Sequence, residues 1–182
     1  VLVDINGCRD TLIRTNYVRV SGPRADFNIN KGQFCLGNNV TLTNTSIPDG
    51  MNAITNVRWD MGNGNVISSL TNPFNYTYPA AGLYSIKMII TDASGCRDSV
   101  TRTNIALVLN PKANFTSDTP SCPGGILNFV NLTTGASGTE TYAWNFGDGF
   151  TSTLTNPSHF YSSVGNYIAK LVVTEPVAGC KD

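Results

Sequence analysis

Charged side chains are scarce in this sequence. They make up 13% of its 182 residues, and twelve basic and twelve acidic residues leave a formal net charge of zero. Globular proteins commonly contain about 25% charged residues. Binding to nucleic acid requires a basic face that displaces counterions from the phosphates, so we expect no nucleic-acid partner. The same balance of charge argues against electrostatic attachment to an anionic membrane surface.

Long apolar runs and catalytic residue sets are also missing. The longest apolar run, Ile105–Leu109, has the length of a strand. A membrane-spanning helix needs about 20 such residues, so we expect no membrane insertion by this segment. Only one histidine, His159, occurs, without clustered acids or a strand-elbow-helix serine motif. These absences predict a non-enzymatic protein without a cofactor, in which His159 has a structural role.

What the sequence does contain is an internal repeat with a period of about 86 residues. "CRDTLIRTNYVRVSGPRADF" starts at Cys8, and "CRDSVTRTNIALVLNPKANF" starts at Cys96. Farther along, "LTNPFNYTYPAAGLYSIKMIIT" at 70–91 matches "LTNPSHFYSSVGNYIAKLVVT" at 154–174. Because each feature recurs in the same order, the pattern indicates a tandem array of one small domain.

Each unit contains short strands separated by turn residues. Tyr84–Met88 alternates between apolar and polar residues, and its second copy is Tyr167–Leu171. Gly62-Asn63-Gly64 predicts a tight hairpin. No helical periodicity of useful length appears, so we predict an all-β protein built of two-sheet sandwiches. Trp59 and Trp144 are expected to fill the two cores.

The second unit resembles a known family. "WNFGDGFTSTLTNPSHFYSSVGNYIAKLVVT" is similar to the signature of the polycystic kidney disease (PKD) domain, which reads W-D-F-G-D-G, N-P-x-H-x-Y and G-x-Y-x-V-x-L-x-V-T. The matching residues are Trp144, Phe146, Gly147, Asp148, Gly149, Pro157, His159, Tyr161, Gly165 and Tyr167. The first unit departs from the pattern, with Asn63 in the hairpin and Asn75 where histidine is usual. The resemblance covers nearly the whole chain and implies tandem immunoglobulin-like sandwiches of extracellular, non-enzymatic character.

Alignment of the units predicts where the domains begin and end. Residues 1–20 correspond to the end of strand F and to strand G of a preceding domain. Residues 21–109 form a complete domain, and residues 110–182 form a domain that lacks its last strand. We therefore expect the sequence to be a piece of a longer array. An alternative is that residues 1–20 supply the missing strand to a neighbouring molecule by strand addition.

The five cysteines occupy two kinds of position. Cys8, Cys96 and Cys180 follow glycine in the turn between strands F and G, whereas Cys35 and Cys122 precede strand B. In a chain that the resemblance implies to be extracellular, such cysteines suggest disulfides. Pairing within each domain would join Cys35 to Cys96 and Cys122 to Cys180, and would leave Cys8 without a partner. Reduced, buried thiols are the other alternative.

Geometry favours a different pairing, between domains. Strands B and F of an immunoglobulin-like sandwich run in the same direction, which places Cys35 and Cys96 about 17–20 Å or more apart. A disulfide needs Cα atoms within about 7 Å. In a head-to-tail array Cys35 approaches Cys180 of the next domain. Cys8 and Cys96 would then pair upstream, and Cys122 downstream.

Two weaker patterns suggest sites on the surface. Some bacterial PKD domains bind Ca²⁺ near the B–C loop and F–G turn, where this sequence has Asp49 and Asp92. Ca²⁺ takes six to eight oxygen ligands, so these two candidate ligands compete with the alternative of solvated turn residues. Thr11 and Ser99 each follow aspartate and precede an apolar residue, which resembles an acceptor pattern for bacterial O-glycans. Such triplets also arise by chance in Thr-rich strands.

A stalk or adhesin repeat is the leading functional hypothesis. The cysteine-bearing form resembles repeats in very large surface proteins of gliding bacteria, which implies a gliding-motility adhesin at the cell surface. Its partners would be neighbouring repeats, and the protein would contact an unidentified surface polysaccharide or protein ligand. One alternative is an accessory module of a secreted hydrolase, which an exposed strip of Phe74, Tyr76 and Tyr78 would favour. A component of a surface filament or secretion assembly is the other.

Overall fold

The computed structural model of the protein describes residues 1–118 and 124–182, and their regular structure consists of β-strands. The strands are β1 Leu2–Val3, β2 Arg9–Asp10, β3 Phe27–Ile29, β4 Gln33–Cys35, β5 Asn39–Asn44, β6 Ile54–Asp60, β7 Val66–Ser68, β8 Phe74–Thr77, β9 Gly82–Asp92, β10 Arg97–Leu109, β11 Phe115–Ser117, β12 Ile126–Asn131, β13 Thr141–Asn145, β14 Thr151–Ser152, β15 Ser158–Phe160 and β16 Lys170–Thr174. Within these two ranges there is no helix of the length and apolarity needed to cross a bilayer.

The first twenty residues form a small hairpin outside either sandwich. β1 pairs antiparallel with β2 through Leu2 with Asp10 and Val3 with Arg9. Every residue from 1 to 20 is exposed to solvent. The segment therefore has no core of its own.

Residues 21–109 form a two-sheet sandwich. One sheet has the strand order β4-β10-β9-β6-β7, and the other has the order β3-β5-β8. The chain changes sheets between β3 and β4, and β4 then runs parallel to β10. Trp59 lies in the centre, 1% exposed, with the rings of Phe27 and Phe74 at 5.2 and 5.1 Å. The alternation of apolar and polar residues on β5, β6 and β9 places one face of each strand in this core.

The described part of residues 110–182 repeats this plan with shorter sheets. β11-β12-β15 form one sheet and β14-β13-β16 form the other. Trp144 is 1% exposed and packs against Phe115 and Phe129. The prediction of tandem all-β, immunoglobulin-like sandwiches with a tryptophan in each core is confirmed.

One predicted strand is shorter than expected. The pattern at Tyr167–Leu171 predicts a strand, but β16 begins only at Lys170. In the middle domain the equivalent β9 pairs with β6 on one side and along most of its length with β10 on the other. Residues 165–169 have no such second strand beside them in the part of the chain that the structure describes. Without that ladder, alternation alone does not extend the strand, and Ile168 is 85% exposed.

Candidate functional site: the junction between the two sandwiches

The turn that carries Cys96 is built by an aspartate four residues earlier. The Oδ1 atom of Asp92 accepts hydrogen bonds from the backbone N–H groups of Ser94 and Cys96, both at 2.9 Å. The N–H of Asp92 in turn donates to the carbonyl of Cys96 at 3.0 Å. Gly95 has a φ of 88°, which only glycine adopts without steric cost. The shape of the turn therefore requires the glycine, whereas Cys96 contributes its backbone groups to it.

The same turn occurs at the other two Gly-Cys pairs. The Oδ1 atom of Asp4 accepts from the N–H of Cys8 at 2.9 Å. The third turn is one residue longer, and there the N–H of Glu175 donates to the carbonyl of Cys180 at 2.8 Å. Gly179 again has a positive φ, 76°. The turns at Cys96 and Cys180 thus present a cysteine at the same end of each sandwich, and the isolated hairpin carries Cys8 in a similar turn.

The aspartate two residues after each of the last two cysteines has a role that sequence reasoning missed. The Oδ2 atom of Asp98 accepts from the N–H of Ala25 at 2.8 Å. Asp182 accepts from the N–H of Ala113 at 2.7 Å in the same way. Each carboxylate holds the incoming chain, just before the first strand, against its own domain. The recurrence of aspartate two residues after cysteine marks the position, but nothing in the sequence indicates its distant partner.

Arg102 fastens the same segment a few residues farther on. Its Nε–H donates to the carbonyl of Phe27 at 2.8 Å, and one terminal nitrogen lies 2.8 Å from Asp26 Oδ1. The guanidinium carbon lies 5.4 Å from the centroid of the Phe27 ring. Arg102 and Asp98 together bind the first strand of the middle domain to β10.

The two sandwiches are joined by a disulfide. Cys35 and Cys180 form the bond with a Cα–Cα distance of 5.5 Å, although 145 residues separate them in sequence. Cys35 precedes β5, but it is the last residue of a short strand, β4, because Gln33–Cys35 pairs with Leu107–Leu109 of β10. Because Cys35 and Cys180 are bonded to each other, neither can pair with a cysteine of its own domain in this structure. Cys122 lies outside the described residues.

The other two described cysteines stand at the surface. Cys8 and Cys96 are exposed and belong to no disulfide. Their expected upstream partners are not present in the sequence, so that pairing stays a prediction.

The peptide linker makes the second connection between the sandwiches. Leu109 and Pro111 are buried, and the N–H of Asn110 donates to the carbonyl of Gly135 at 3.2 Å. Lys112 and Thr134 exchange backbone hydrogen bonds at 2.8 and 3.1 Å. The N–H of Leu36, next to Cys35, donates to Leu109 at 2.7 Å. The disulfide and the linker thus leave the middle domain side by side.

Of the two candidate calcium ligands, Asp49 lies in the loop between β5 and β6, and Asp92 is the last residue of β9. Asp49 accepts from the N–H groups of Asn52 and Met51, which lower its pKa. Asp92 is 2% exposed, and its second oxygen is buried without a partner in the described residues. Those residues contain no group of three or more His, Cys, Asp or Glu side chains that could hold a metal ion. Calcium binding stays a prediction.

The last domain replaces these two carboxylates with a different arrangement. Glu175 occupies the position of Asp92 and is fully buried. Its two oxygens accept from the N–H and the hydroxyl of Ser137 at 2.6 and 2.7 Å. The carboxylate therefore ties the F–G turn to the B–C loop directly.

His159 and Asp148 form a structural pair. Nε2 of His159 lies 2.7 Å from Oδ2 of Asp148, and the two side chains are 10% and 14% exposed. The imidazole stacks on Phe146, with 4.1 Å between ring centroids. Burial tends to raise the pKa of Asp148, but the hydrogen bonds from His159 and from the N–H of Phe150 outweigh it and lower the pKa. The pair holds the hairpin after β13 against β15.

The equivalent of His159 in the middle domain is Tyr76, not Asn75. The simple alignment placed Asn75 at this position, but Asn75 faces outward and accepts a hydrogen bond from Thr41. Tyr76 faces inward, and its hydroxyl accepts from Nδ2 of Asn63 in the hairpin at 3.0 Å. Side chains alternate along a strand, so a slip of one residue exchanges the two faces.

The aromatic residues considered as a binding strip pack inward instead. Phe74 lies against Trp59, and Tyr78 is buried with its hydroxyl donating to the carbonyl of Met61 at 3.0 Å. Tyr84 stacks on Tyr78 at 4.2 Å. Their aromatic surface is used to close the end of the core.

The equivalent tyrosines of the last domain form the same stack. Tyr161 and Tyr167 lie 4.3 Å apart between centroids.

Thr11 and Ser99, the candidate glycosylation sites, are both exposed, and Ser99 lies on β10. Glycosylation at either residue stays a prediction.

Comparison with known proteins identifies relatives of both sandwiches. A family model described as the PKD domain matches residues 20–107 and again residues 108–182. The PKD1 domain of Vibrio anguillarum Epp is 28% identical, covers 48% of this chain and 95% of its own, and has a TM-score of 0.40. The PKD1 domain of the Vibrio cholerae metalloprotease PrtV is also 28% identical, with 47% and 96% coverage and a TM-score of 0.39.

A curated relative is similar over a shorter stretch. Collagenase ColA of Bacillus cereus is 53% identical over 34 residues, which is 19% of this chain. The match spans only 4% of the collagenase's own length.

Proposed function

We propose that this chain, which belongs to the PKD-domain family and carries two such domains in tandem, is a non-catalytic, load-bearing stalk segment of a cell-surface protein. The observation that carries the proposal is the Cys35–Cys180 disulfide beside the peptide linker. A single linker lets two domains swivel about one point. A second covalent connection at the same junction restricts bending and keeps the pair extended.

The chemistry of the junction supports an extracellular location. Disulfides persist in oxidising compartments and are rare in the cytosol. A disulfide typically adds about 2–4 kcal/mol of stability by restricting the unfolded chain. A polar surface with few charges and a stapled junction suit a rod that is exposed to proteases outside the cell.

The proposal extends to a longer array at the surface of a gliding bacterium. Cys96 occupies the same turn as Cys180, so a preceding domain with a cysteine at the position of Cys35 would bond to it in the same way. Cys8 would repeat the bond one domain upstream, and Cys122 would supply the downstream one. The stalk would carry a gliding-motility adhesin whose polysaccharide or protein ligand binds elsewhere in the protein.

An accessory module of a secreted hydrolase is the second candidate. The similarity to a PKD domain of a metalloprotease and to a collagenase favours it. The inward packing of Phe74 and Tyr78 removes the exposed aromatic strip that this role would use. The full-length sequence separates the two hypotheses, since dozens of repeats would indicate an adhesin, whereas one or two beside a catalytic domain would indicate an accessory module.

Small-angle X-ray scattering of the 182-residue chain tests the stalk. We expect the oxidised protein to scatter as an extended particle with few conformations, and expect reduction to broaden its distance distribution. The Cys35→Ser/Cys180→Ser variant should match the reduced protein, and the matched control Cys96→Ser should match the oxidised one. Superimposable oxidised and reduced profiles would contradict a stiffening role.

A further inference from the structure

The disulfide changes which part of the chain lies between the two ends. Starting from Val1, the shortest covalent route runs to Cys35, crosses the disulfide to Cys180 and ends at Asp182. Residues 36–179 form a closed loop beside this route. That loop contains strands β5 to β16 with Trp59 and Trp144, whereas Phe27 and Phe34 of the middle core lie outside it.

We propose that tension along the stalk bypasses the last domain and most of the middle domain, and passes through residues 21–35 and the disulfide. The proposal rests on the load-bearing function above and adds the identity of the segment that bears the load. Under tension, strands β5 to β16 can move but cannot be drawn out as extended chain while the disulfide is intact. The bond thus acts as a limit on extension as well as a brace against bending.

Part of the proposed load-bearing segment is already extended. Six of its fifteen residues lie in β3 and β4, and Arg24 before them forms a further antiparallel bridge with Ile47. Strands rise about 3.3 Å per residue, which is close to the fully extended length of the chain. Pulling on residues 21–35 therefore gains little length from these two strands themselves.

The segment is also bound to its domain along its length. Asp98 holds the N–H of Ala25 at its start, and Arg102 holds the carbonyl of Phe27. At its end, β4 pairs in parallel with β10, residue for residue from Gln33 to Cys35. These contacts must break before residues 21–35 can straighten under tension.

The length of chain available under tension follows from the covalent connection. A chain of 182 residues pulled from its ends has an extended length of about 640 Å at about 3.5 Å per residue. With the Cys35–Cys180 bond only residues 1–35 and 180–182 can extend, to about 130 Å. A Cys35–Cys96 bond would instead permit about 430 Å. The three cases are well separated.

Optical-tweezers measurements on the whole chain test the proposal, with handles attached at both ends through tags that contain no cysteine. The oxidised protein should extend to at most about 130 Å, and reductant should release roughly 500 Å more. Cys35→Ser/Cys180→Ser should behave as reduced protein, and Cys96→Ser should retain the short limit. Extension of the oxidised protein to about 430 or 640 Å would overturn the proposal.

The same instrument measures how far Arg102 holds residues 21–35 against the rest of the middle domain. Arg102→Lys should lower the force at which residues 21–35 detach, without changing the maximum extension of the oxidised chain. Arg58→Lys, on exposed β6 surface, is the matched control. An unchanged detachment force in Arg102→Lys would show that Arg102 does not help to hold residues 21–35 in place under tension. If the oxidised protein extends beyond about 130 Å while scattering still shows a stiff rod, the proposed path of tension is wrong, and the proposed stalk function is unaffected.

Discussion

The two core tryptophans differ in one bond, and that difference predicts unequal effects of the same substitution. Nε1 of Trp144 donates to the carbonyl of Leu154 at 2.8 Å. Nε1 of Trp59 is buried and has no partner in the described residues. Both rings are 1% exposed, so replacement by phenylalanine removes a similar apolar area in each domain.

The magnitude follows from the hydrogen bond. The smaller ring costs about 1 kcal/mol of burial at either position. Trp144→Phe also leaves the Leu154 carbonyl without its donor, whereas Trp59→Phe removes a buried unpaired donor, a change worth about 1–3 kcal/mol in the opposite direction. We therefore expect Trp59→Phe to be neutral or slightly stabilising, and Trp144→Phe, which loses a hydrogen bond to the partly exposed Leu154, to destabilise its domain by about 1.5–2.5 kcal/mol.

Hydrogen exchange with mass spectrometry measures this difference domain by domain. Fluorescence would report the wrong domain, because each variant keeps only the tryptophan of the other one. Under oxidising conditions, Trp144→Phe should speed exchange in β12 and β13, and Trp59→Phe should leave β5 and β6 nearly unchanged. Equal effects at the two sites would refute the assignment of a paired and an unpaired indole.

Three further predictions concern single side chains. The pKa of Asp148 is lowered in the folded protein, so the carboxylate stabilises the fold above pH 3.8, and this stabilisation is lost as the pH falls below that value. An acid titration followed by circular dichroism should show the loss in the wild type and not in the Asp148→Asn variant. Asp98→Asn should destabilise the middle domain by about 1–2 kcal/mol and speed exchange of the Ala25 amide, and unaltered exchange would count against the clamp. If Asp49 and Asp92 bind Ca²⁺, millimolar Ca²⁺ should raise the melting temperature and Asp92→Asn should abolish that rise, whereas identical melting in Ca²⁺ and in chelator would end the calcium hypothesis.

Much of the fold could be predicted because it depends on local patterns. Alternation along β9 and the glycine-rich hairpins mark strands and turns, and one tryptophan per unit marks each core. Where a strand depends on a distant partner, the sequence was insufficient. Gln33–Cys35 is a strand because it pairs with β10, and Tyr167–Ala169 is not because no described strand lies beside it.

The site was predictable only in part for the same reason. Gly-Cys pairs located the turns, but the bond from Asp98 to Ala25 joins residues 73 positions apart, and no local pattern reports it. A direct sequence alignment pairs His159 with Asn75, one residue away from its structural equivalent, Tyr76. The strand pairing of β5 with β8 shows which side chain faces the hairpin, and the sequence alone does not.

Non-reducing peptide mapping of the intact chain, produced in an oxidising compartment, tests the central claim most directly. After digestion without reductant, a peptide containing Cys35 should be recovered linked to the peptide containing Cys180. Recovery of Cys35 linked to Cys96 would contradict the account, because that bond closes a loop within one domain and leaves the junction held by the linker alone.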